Sequence, residues 1–245
     1  AQESRGLGDV YKRQVFIFGI NVAGGVSAVV ENAQSLPGYL TMHTTYDPVS
    51  GTEQPYPIIS IVSMIAWGLG YFGMPHILLR FMAIEDEEKL KLSRRVATGW
   101  VVISLAVAVL IGIIGLAMTA AGELIPMEGS ASETIIVKIA DLMSQHGVLP
   151  ALLAGTILAG ILASTMSTAD SQLLAASSSV SSDLLGDFLK KKTGKKGSMF
   201  ADRITLLIIA LIAVFLARDP NSSVFNIVSF AWAGFGAVFL SLIHI

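Results

Sequence analysis

Apolar residues fill six stretches of this chain, and the stretches are separated by shorter polar segments. They cover residues 15–30, 58–84, 96–121, 148–185, 204–217 and 224–239. A helix needs roughly 20 residues to cross about 30 Å of hydrocarbon. The fifth stretch is shorter than that, but residues 198–203 extend it to the interface, where Arg203 can snorkel. The pattern predicts an all-α polytopic membrane protein with about six transmembrane helices.

Basic residues predict the orientation of these spans, since cytoplasmic loops are rich in Lys and Arg. Four of them lie between the second and third spans, with Arg80 near the end of the second as a fifth, and six lie between the fourth and fifth. In the segments 31–57, 122–147 and 219–223, Lys138 is the only basic residue. The two kinds of segment alternate, so the first, third and fifth spans are predicted to run outward.

Composition supports the same class. Hydrophobic residues make up 53% of the chain and charged residues 14%, with a mean hydropathy of +0.69, whereas soluble domains are about 25% charged. The absence of Cys and a net charge of -2 argue against a disulfide scaffold, a zinc-thiolate module and a basic nucleic-acid binder. The expected partner is the bilayer of a cell membrane, with the basic run 190–196 near anionic lipid. Nothing in the sequence indicates the oligomeric state.

Both ends of the chain resemble a translated sequencing adapter. Residues 9–14 read DVYKRQ, and residues 240–245 read LSLIHI. One codon choice for the first, GAT GTG TAT AAG AGA CAG, has a reverse complement that encodes the second. We therefore interpret residues 1–14 and 240–245 as non-native tails. Residues 15–239 are then expected to be the transmembrane core, an internal fragment of a longer chain.

The second span is predicted to be interrupted, because Gly68, Gly70 and Gly73 precede Pro75. Proline lacks an N–H and disfavours α geometry at the preceding residue, Met74. An unwound membrane helix frees backbone groups for solute and ions, as in secondary transporters.

Trp67, Tyr71 and Pro75 are spaced by four residues and would share one helical face. Flat apolar walls with a hydroxyl and an indole N–H suit a compact, partly apolar solute. Helix packing and interfacial anchoring are the alternative roles for this glycine-rich aromatic face.

The fourth span is rich in hydroxyl groups, with ten Ser or Thr residues among the nineteen from Ser164 to Ser182. Ser167 and Thr168 follow Ser164 by three and four residues, so both hydroxyls can approach its carbonyl. Three uncharged oxygens would form half of a sodium site, because low charge favours a monovalent cation. The alternative is hydrogen bonding within the helix or to a neighbouring helix.

Asp170 is an acidic residue within the fourth span. It either forms part of an ion path or gate, or it faces a water-filled vestibule.

Three segments carry a resemblance to a known family: WGLGYFGMPHILLRFMA, LAGILASTMSTADSQLL and VSFAWAGFGA. They resemble the sodium/solute symporter family, and within it the bacterial sodium/proline symporters. The resemblance implies part of a leucine-transporter-type fold with two inverted repeats. It also implies sodium as the coupling ion, no other cofactor, and uptake of a small solute, with L-proline as the first candidate.

The resemblance further implies roles for single residues. Sodium would be held by the Ser167 and Thr168 hydroxyls and the Ser164 carbonyl, and the solute by Trp67, Tyr71 and Pro75. Two positions depart from the proline symporter pattern, which has Gln at Met74 and Cys at Ser171. Another amino acid or a carboxylate therefore stays open as solute.

Two alternatives differ in mechanism. A proton-coupled carrier would use Asp170, with Ser171 beside it in the possible gate or ion path. An intramembrane hydrolase would pair Ser167 or Ser171 with His76, but the spacing supplies no base within hydrogen-bond reach. We therefore expect a transporter and not an enzyme.

Overall fold

The computed structural model describes residues 14–84, 86–184, 195–219 and 222–243. Most of the first adapter-like tail, the last two residues of the second and most of the basic run 190–196 lie outside the described residues. That the tails are non-native stays a prediction.

The described chain is mostly helical. Its α-helices are α1 (Gln14–Val22), α2 (Val26–Ser35), α3 (Ile58–Gly70), α4 (Pro75–Met82), α5 (Glu87–Ala120), α6 (Ile135–Ser144), α7 (Val148–Ser178), α8 (Lys195–Leu216) and α9 (Val224–Ile243). Shorter 3-10 helices cover Tyr71–Gly73 and Gly129–Thr134, and a π-helical turn covers Ser179–Leu184. The two strands are β1 (Thr44–Asp47) and β2 (Thr52–Pro55).

Two of the described helices are long and apolar enough to cross a membrane, Glu87–Ala120 and Val148–Ser181. A third span results if the bent pair α1 and α2 is counted as one. The apolar helices Ile58–Gly70 and Val224–Val238 are shorter. These helices agree with a membrane protein.

The first predicted span is not one straight helix. Residues 15–30 divide between α1 and α2, whose axes differ by 75°. Gly24 and Gly25 lie at the break with φ of 92° and 99°, a conformation that costs glycine little and other residues much. The first predicted crossing is therefore a broken helix, which counts as one span only if α1 and α2 are taken together.

Helix α5 begins nine residues before the apolar stretch that predicted it. Asp86 caps its N-terminus, because its side-chain Oδ1 accepts the Glu88 N–H at 3.0 Å. With 34 residues and a rise of about 1.5 Å per residue, α5 exceeds the thickness of the hydrocarbon. Its charged first turns therefore extend beyond the predicted cytoplasmic end of the span.

The long predicted outer loop contains a β-hairpin that the sequence pattern did not predict. Strands β1 and β2 pair antiparallel, with Asp47 opposite Thr52. Asp47 organises the turn: its carboxylate accepts the Ser50 hydroxyl at 2.7 Å and the Val49 N–H at 3.0 Å. These hydrogen bonds lower the pKa of Asp47, and the bond from Ser50 has the largest effect.

The helices pack in two groups that we name for later use. In the core unit, α6 packs on α5 and α7, while α2 packs on α5 and α8 on α7. Its buried centre includes Met118 from α5, Ile139 from α6 and Ile157 from α7. In the pocket unit, α9 packs along α3 and the 3-10 helix Tyr71–Gly73. Helix α4 touches both this 3-10 helix and α7, and so connects the units.

Candidate functional site

The second span is interrupted where the sequence predicts. Helix α3 ends at Gly70, a 3-10 turn follows, and Met74 is extended with φ of -84° and ψ of 113° before Pro75 begins α4. The Met74 N–H donates to the Tyr71 carbonyl at 3.4 Å. The interruption is therefore a physical feature of the chain, and it divides the span into α3 and α4.

Glycines bring the interrupted helix into backbone contact with α9. A Cβ built on Gly70 would lie 2.7 Å from the carbonyl oxygen of Trp232 and 2.7 Å from its Cδ1. A Cβ on Gly73 would overlap the carbonyl oxygen of Phe235. On α9, a Cβ built on Gly236 would lie 3.5 Å from the backbone nitrogen of Gly70. Only residues without a side chain permit this approach at Gly70 and Gly73.

An aromatic cluster forms above these contacts. The Trp67 ring stacks on Phe225 at a centroid distance of 5.2 Å and lies 6.1 Å from Trp232. Tyr71 meets Trp232 edge to face at 5.6 Å. The predicted pair Trp67 and Tyr71 thus shares one aromatic partner. Trp67 is half-buried and Tyr71 is 47% exposed.

A cavity of about 250 Å³ opens between α3 and α9. Ser63, Trp67 and Gly70 line one side, and Ser229, Trp232 and Gly236 line the other. Pockets for drug-sized ligands are typically about 300–1,000 Å³, so this one suits a solute of few non-hydrogen atoms. The residues of the cavity wall are mainly apolar, with two serines and two tryptophans that carry polar groups.

Trp232, which lines this wall, has a buried indole N–H. Its Nε1 is buried and has no hydrogen bond among the described residues. A buried donor without an acceptor costs about 1–3 kcal/mol, which makes it a candidate donor to a bound solute. Sequence reasoning gave Trp232 no role, although it lies in the VSFAWAGFGA segment. The small residues around it were the available signal for a close helix contact.

One of the two expected hydroxyl contacts with the Ser164 carbonyl is present in α7, as a hydrogen bond within the helix. Thr168 Oγ1 donates to the Ser164 carbonyl at 3.1 Å, so these two oxygens share one volume. For Ser167 no such hydrogen bond is found among the described residues. Ser167 and Thr168 are exposed, and Ser164 is half-buried. No described helix covers the face of α7 on which the two hydroxyls lie.

Asp170 and Ser171 follow directly on the same helix. Asp170 is exposed, while Ser171 is half-buried and donates its hydroxyl to the Thr168 carbonyl at 2.8 Å. The Ser171 hydroxyl is therefore engaged within its own helix. Pro75 starts α4, but its side chain lies outside those described, so its predicted contact with solute stays a prediction.

The structure thus groups the predicted site residues into two clusters. Trp67 and Tyr71 belong to the pocket unit, and Ser164 and Thr168 belong to the core unit. Among the described residues, no hydrogen bond or ring contact joins the clusters, and α4 packed against α7 is the connection between the two helices that carry them.

Comparison with known proteins identifies relatives of this chain. The model of the sodium:solute symporter family matches residues 14–245. The chain is 40% identical over 182 residues to the osmoregulated proline transporter OpuE of Bacillus subtilis, covering 74% of this chain and 35% of that protein.

Two further relatives carry the name sodium/proline symporter. The one from Escherichia coli is 38% identical over 182 residues, with 74% of this chain and 35% of that protein covered. The one from Staphylococcus aureus is 41% identical over 188 residues, with 76% and 35% covered. The chain therefore spans about a third of the length of these relatives. No solved structure matches the chain.

Proposed function

Because the chain belongs to the sodium:solute symporter family, we propose that it is part of a sodium-coupled secondary transporter that imports a small solute, with L-proline as the leading candidate. The observation that carries this proposal is the small aromatic cavity on an interrupted helix, in a chain related to proteins named sodium/proline symporter.

The solute site that we propose lies between α3 and α9. Trp67 and Tyr71 provide apolar walls that fit a small ring or aliphatic chain, and Pro75 keeps the helix interrupted beside them. The buried Trp232 N–H supplies a donor suited to a carboxylate oxygen. Met74, where proline symporters have Gln, is 3% exposed and contributes no amide. A different small amino acid or a carboxylate therefore fits the same walls.

The sodium site that we propose uses uncharged oxygens of α7. The Ser164 carbonyl and the Thr168 hydroxyl are already adjacent, and the exposed Ser167 hydroxyl is one residue away. The family resemblance assigns the remaining ligands to a helix that is not among those described. A second helix docking on the uncovered face of α7 would complete the coordination. Asp170 and Ser171 lie next to this site and are proposed to form the ion path or gate.

The fold that we propose is part of the leucine-transporter type, with six crossings and alternating access. Sodium binding favours the outward-open state, solute binds in the aromatic cavity, and closure carries both inward. A potential of about 100 mV contributes ~2.3 kcal/mol for each charge moved, which supports roughly fiftyfold accumulation of solute. No covalent step is required.

Uptake measurements on the complete transporter that contains this sequence test the proposal. Labelled amino acids and carboxylates are compared in sodium and choline buffers at fixed pH. We expect uptake in sodium only, with proline transported best. Undiminished uptake in choline would remove sodium coupling and would favour the carrier that uses Asp170.

A second experiment tests the ion ligands. Thr168→Val removes the hydroxyl and keeps the shape, so the sodium concentration for half-maximal uptake should rise about tenfold, as for the loss of one charge-assisted contact. Thr168→Ser should restore the wild-type value. Thr156→Val is the matched control, because the Thr156 hydroxyl is also exposed on α7 and donates to a carbonyl of its own helix, that of Leu153, at 2.7 Å. An unchanged sodium response in Thr168→Val would refute the assignment.

A further inference from the structure

Glu133 connects two distant parts of the chain. One of its carboxylate oxygens, Oε1, accepts the Ser223 hydroxyl at 2.6 Å and the Phe225 N–H at 3.3 Å. Its other oxygen, Oε2, accepts the Val224 N–H at 3.0 Å. Ser223 in turn accepts the Asn226 N–H at 3.3 Å. The carboxylate thus binds the first residues of α9 from about ninety positions earlier in the sequence.

The physical chemistry of a helix N-terminus explains this geometry. The first N–H groups of a helix have no partner within it, and they carry the positive end of the helix dipole. A carboxylate from another element supplies both the acceptors and the charge. The hydrogen bond from the Ser223 hydroxyl is the main cause that lowers the pKa of Glu133 below its ordinary value. The bonds from the two backbone N–H groups lower it further.

The two segments joined by Glu133 belong to different packing units. Glu133 lies in the 3-10 helix Gly129–Thr134, directly before α6, which packs on α7 of the core unit. Its partners begin α9, which packs on α3 and lines the aromatic cavity. Both segments are predicted to lie on the outer side of the membrane. The link therefore joins the unit with the proposed sodium helix to the unit with the proposed solute cavity, opposite to the contact between α4 and α7.

We propose that Glu133 is a positioning residue that couples the two units, holding the outer end of α9 to the core unit and releasing it when the outer side opens. The proposal rests on the proposed sodium-coupled function. In this scheme, sodium bound at α7 stabilises the position of α6, and Glu133 transmits that position to α9 and to the cavity wall. The carboxylate touches neither the solute nor the ion.

Distance measurements between spin labels test the mechanical part. This chain contains no Cys, so label pairs within it are specific once any Cys elsewhere in the complete transporter is replaced. A pair at Val137 and Ile227, which are 40% and 56% exposed, spans the two units. A pair at Ile58 and Ile227 lies within the pocket unit.

In Glu133→Ala we expect the distance between Val137 and Ile227 to lengthen and broaden, while that between Ile58 and Ile227 stays unchanged. Glu128→Ala is the matched control. It removes an exposed carboxylate from the same segment, and this carboxylate accepts no hydrogen bond among the described residues. An unchanged cross-unit distance in Glu133→Ala, or an equal change in Glu128→Ala, would overturn the proposal.

Equilibrium solute binding tests the coupling part. Sodium should raise the affinity of the wild-type transporter for solute, and Glu133→Ala should reduce that factor by about fivefold or more, the lower end of typical coupling between sites. Thermal unfolding of the same variant separates this effect from a general loss of stability. If the wild type shows no effect of sodium, the proposed function fails. If it does and Glu133→Ala retains the full effect, only the coupling role fails.

Discussion

Replacement of Gly70 by Ala tests the close contact between α3 and α9 on which the cavity depends. Gly70 has helical angles, φ of -62° and ψ of -29°, so alanine is compatible with its backbone. By helix propensity alone the substitution should stabilise the protein by about 0.5–1 kcal/mol. The tertiary structure predicts the opposite sign.

The size of the effect follows from what the new methyl group meets. It would lie 2.7 Å from the Trp232 carbonyl oxygen and 2.9 Å from Trp232 Cβ, well inside ordinary contact. Because the oxygen belongs to the α9 backbone, the helix itself must move by several tenths of an ångström. Overpacking of this kind costs about 1–3 kcal/mol. After the gain in helix propensity, the net loss lies between about 0 and 2.5 kcal/mol, with a central value of about 1 kcal/mol.

The assay is unfolding of the purified transporter in mixed detergent and SDS, monitored by tryptophan fluorescence, together with solute affinity. Gly68→Ala is the matched control, since a Cβ there meets nothing within 4 Å. We expect Gly68→Ala to be neutral or stabilising and Gly70→Ala to lose both stability and solute affinity. Equal stability of the two variants would show that α3 and α9 do not touch at Gly70.

Three further outcomes are expected. Trp232→Phe keeps the aromatic contacts and removes the unpaired N–H, so folding stability should hold while solute affinity falls about tenfold; unchanged affinity would exclude Trp232 as a donor to solute. The stabilising effect of Glu133 should be complete above its ordinary pKa of 4.5 and disappear as pH falls through its lower folded pKa. The cross-unit distance in the wild type should therefore broaden only as pH falls below 4.5 and through this lowered pKa, and in Glu133→Gln it should be insensitive to pH. Asp86→Ala should destabilise α5 by about 0.5–2 kcal/mol in the same SDS assay, and a shift no larger than that of Glu87→Ala would argue against the cap.

Several features of the fold follow from local chemistry and were predictable. The interruption at Met74 depends on Pro75, whose missing N–H acts on its immediate neighbours. The bond from Thr168 to the Ser164 carbonyl depends on a spacing of four within one helix. The apolar runs likewise predict α5 and α7, because hydropathy is a property of the segment.

Other features required partners that are distant in sequence. The bend between α1 and α2 was missed although Gly24 and Gly25 are visible, because two glycines permit a turn without requiring one. The hairpin after α2 was missed because its strands are short and mostly exposed. Neither error changes the helices that carry the candidate site.

The sequence by itself determined that this chain is a helical membrane protein, that its second span is interrupted and that hydroxyl groups crowd its fourth. These properties arise from the residues of one segment and survive any arrangement of the segments. The tertiary structure alone decided that α9 closes the aromatic cavity, that the Trp232 N–H is buried there, and that Glu133 reaches the first turn of α9. Such contacts join residues far apart in the chain, and only the packing of whole helices brings those residues together.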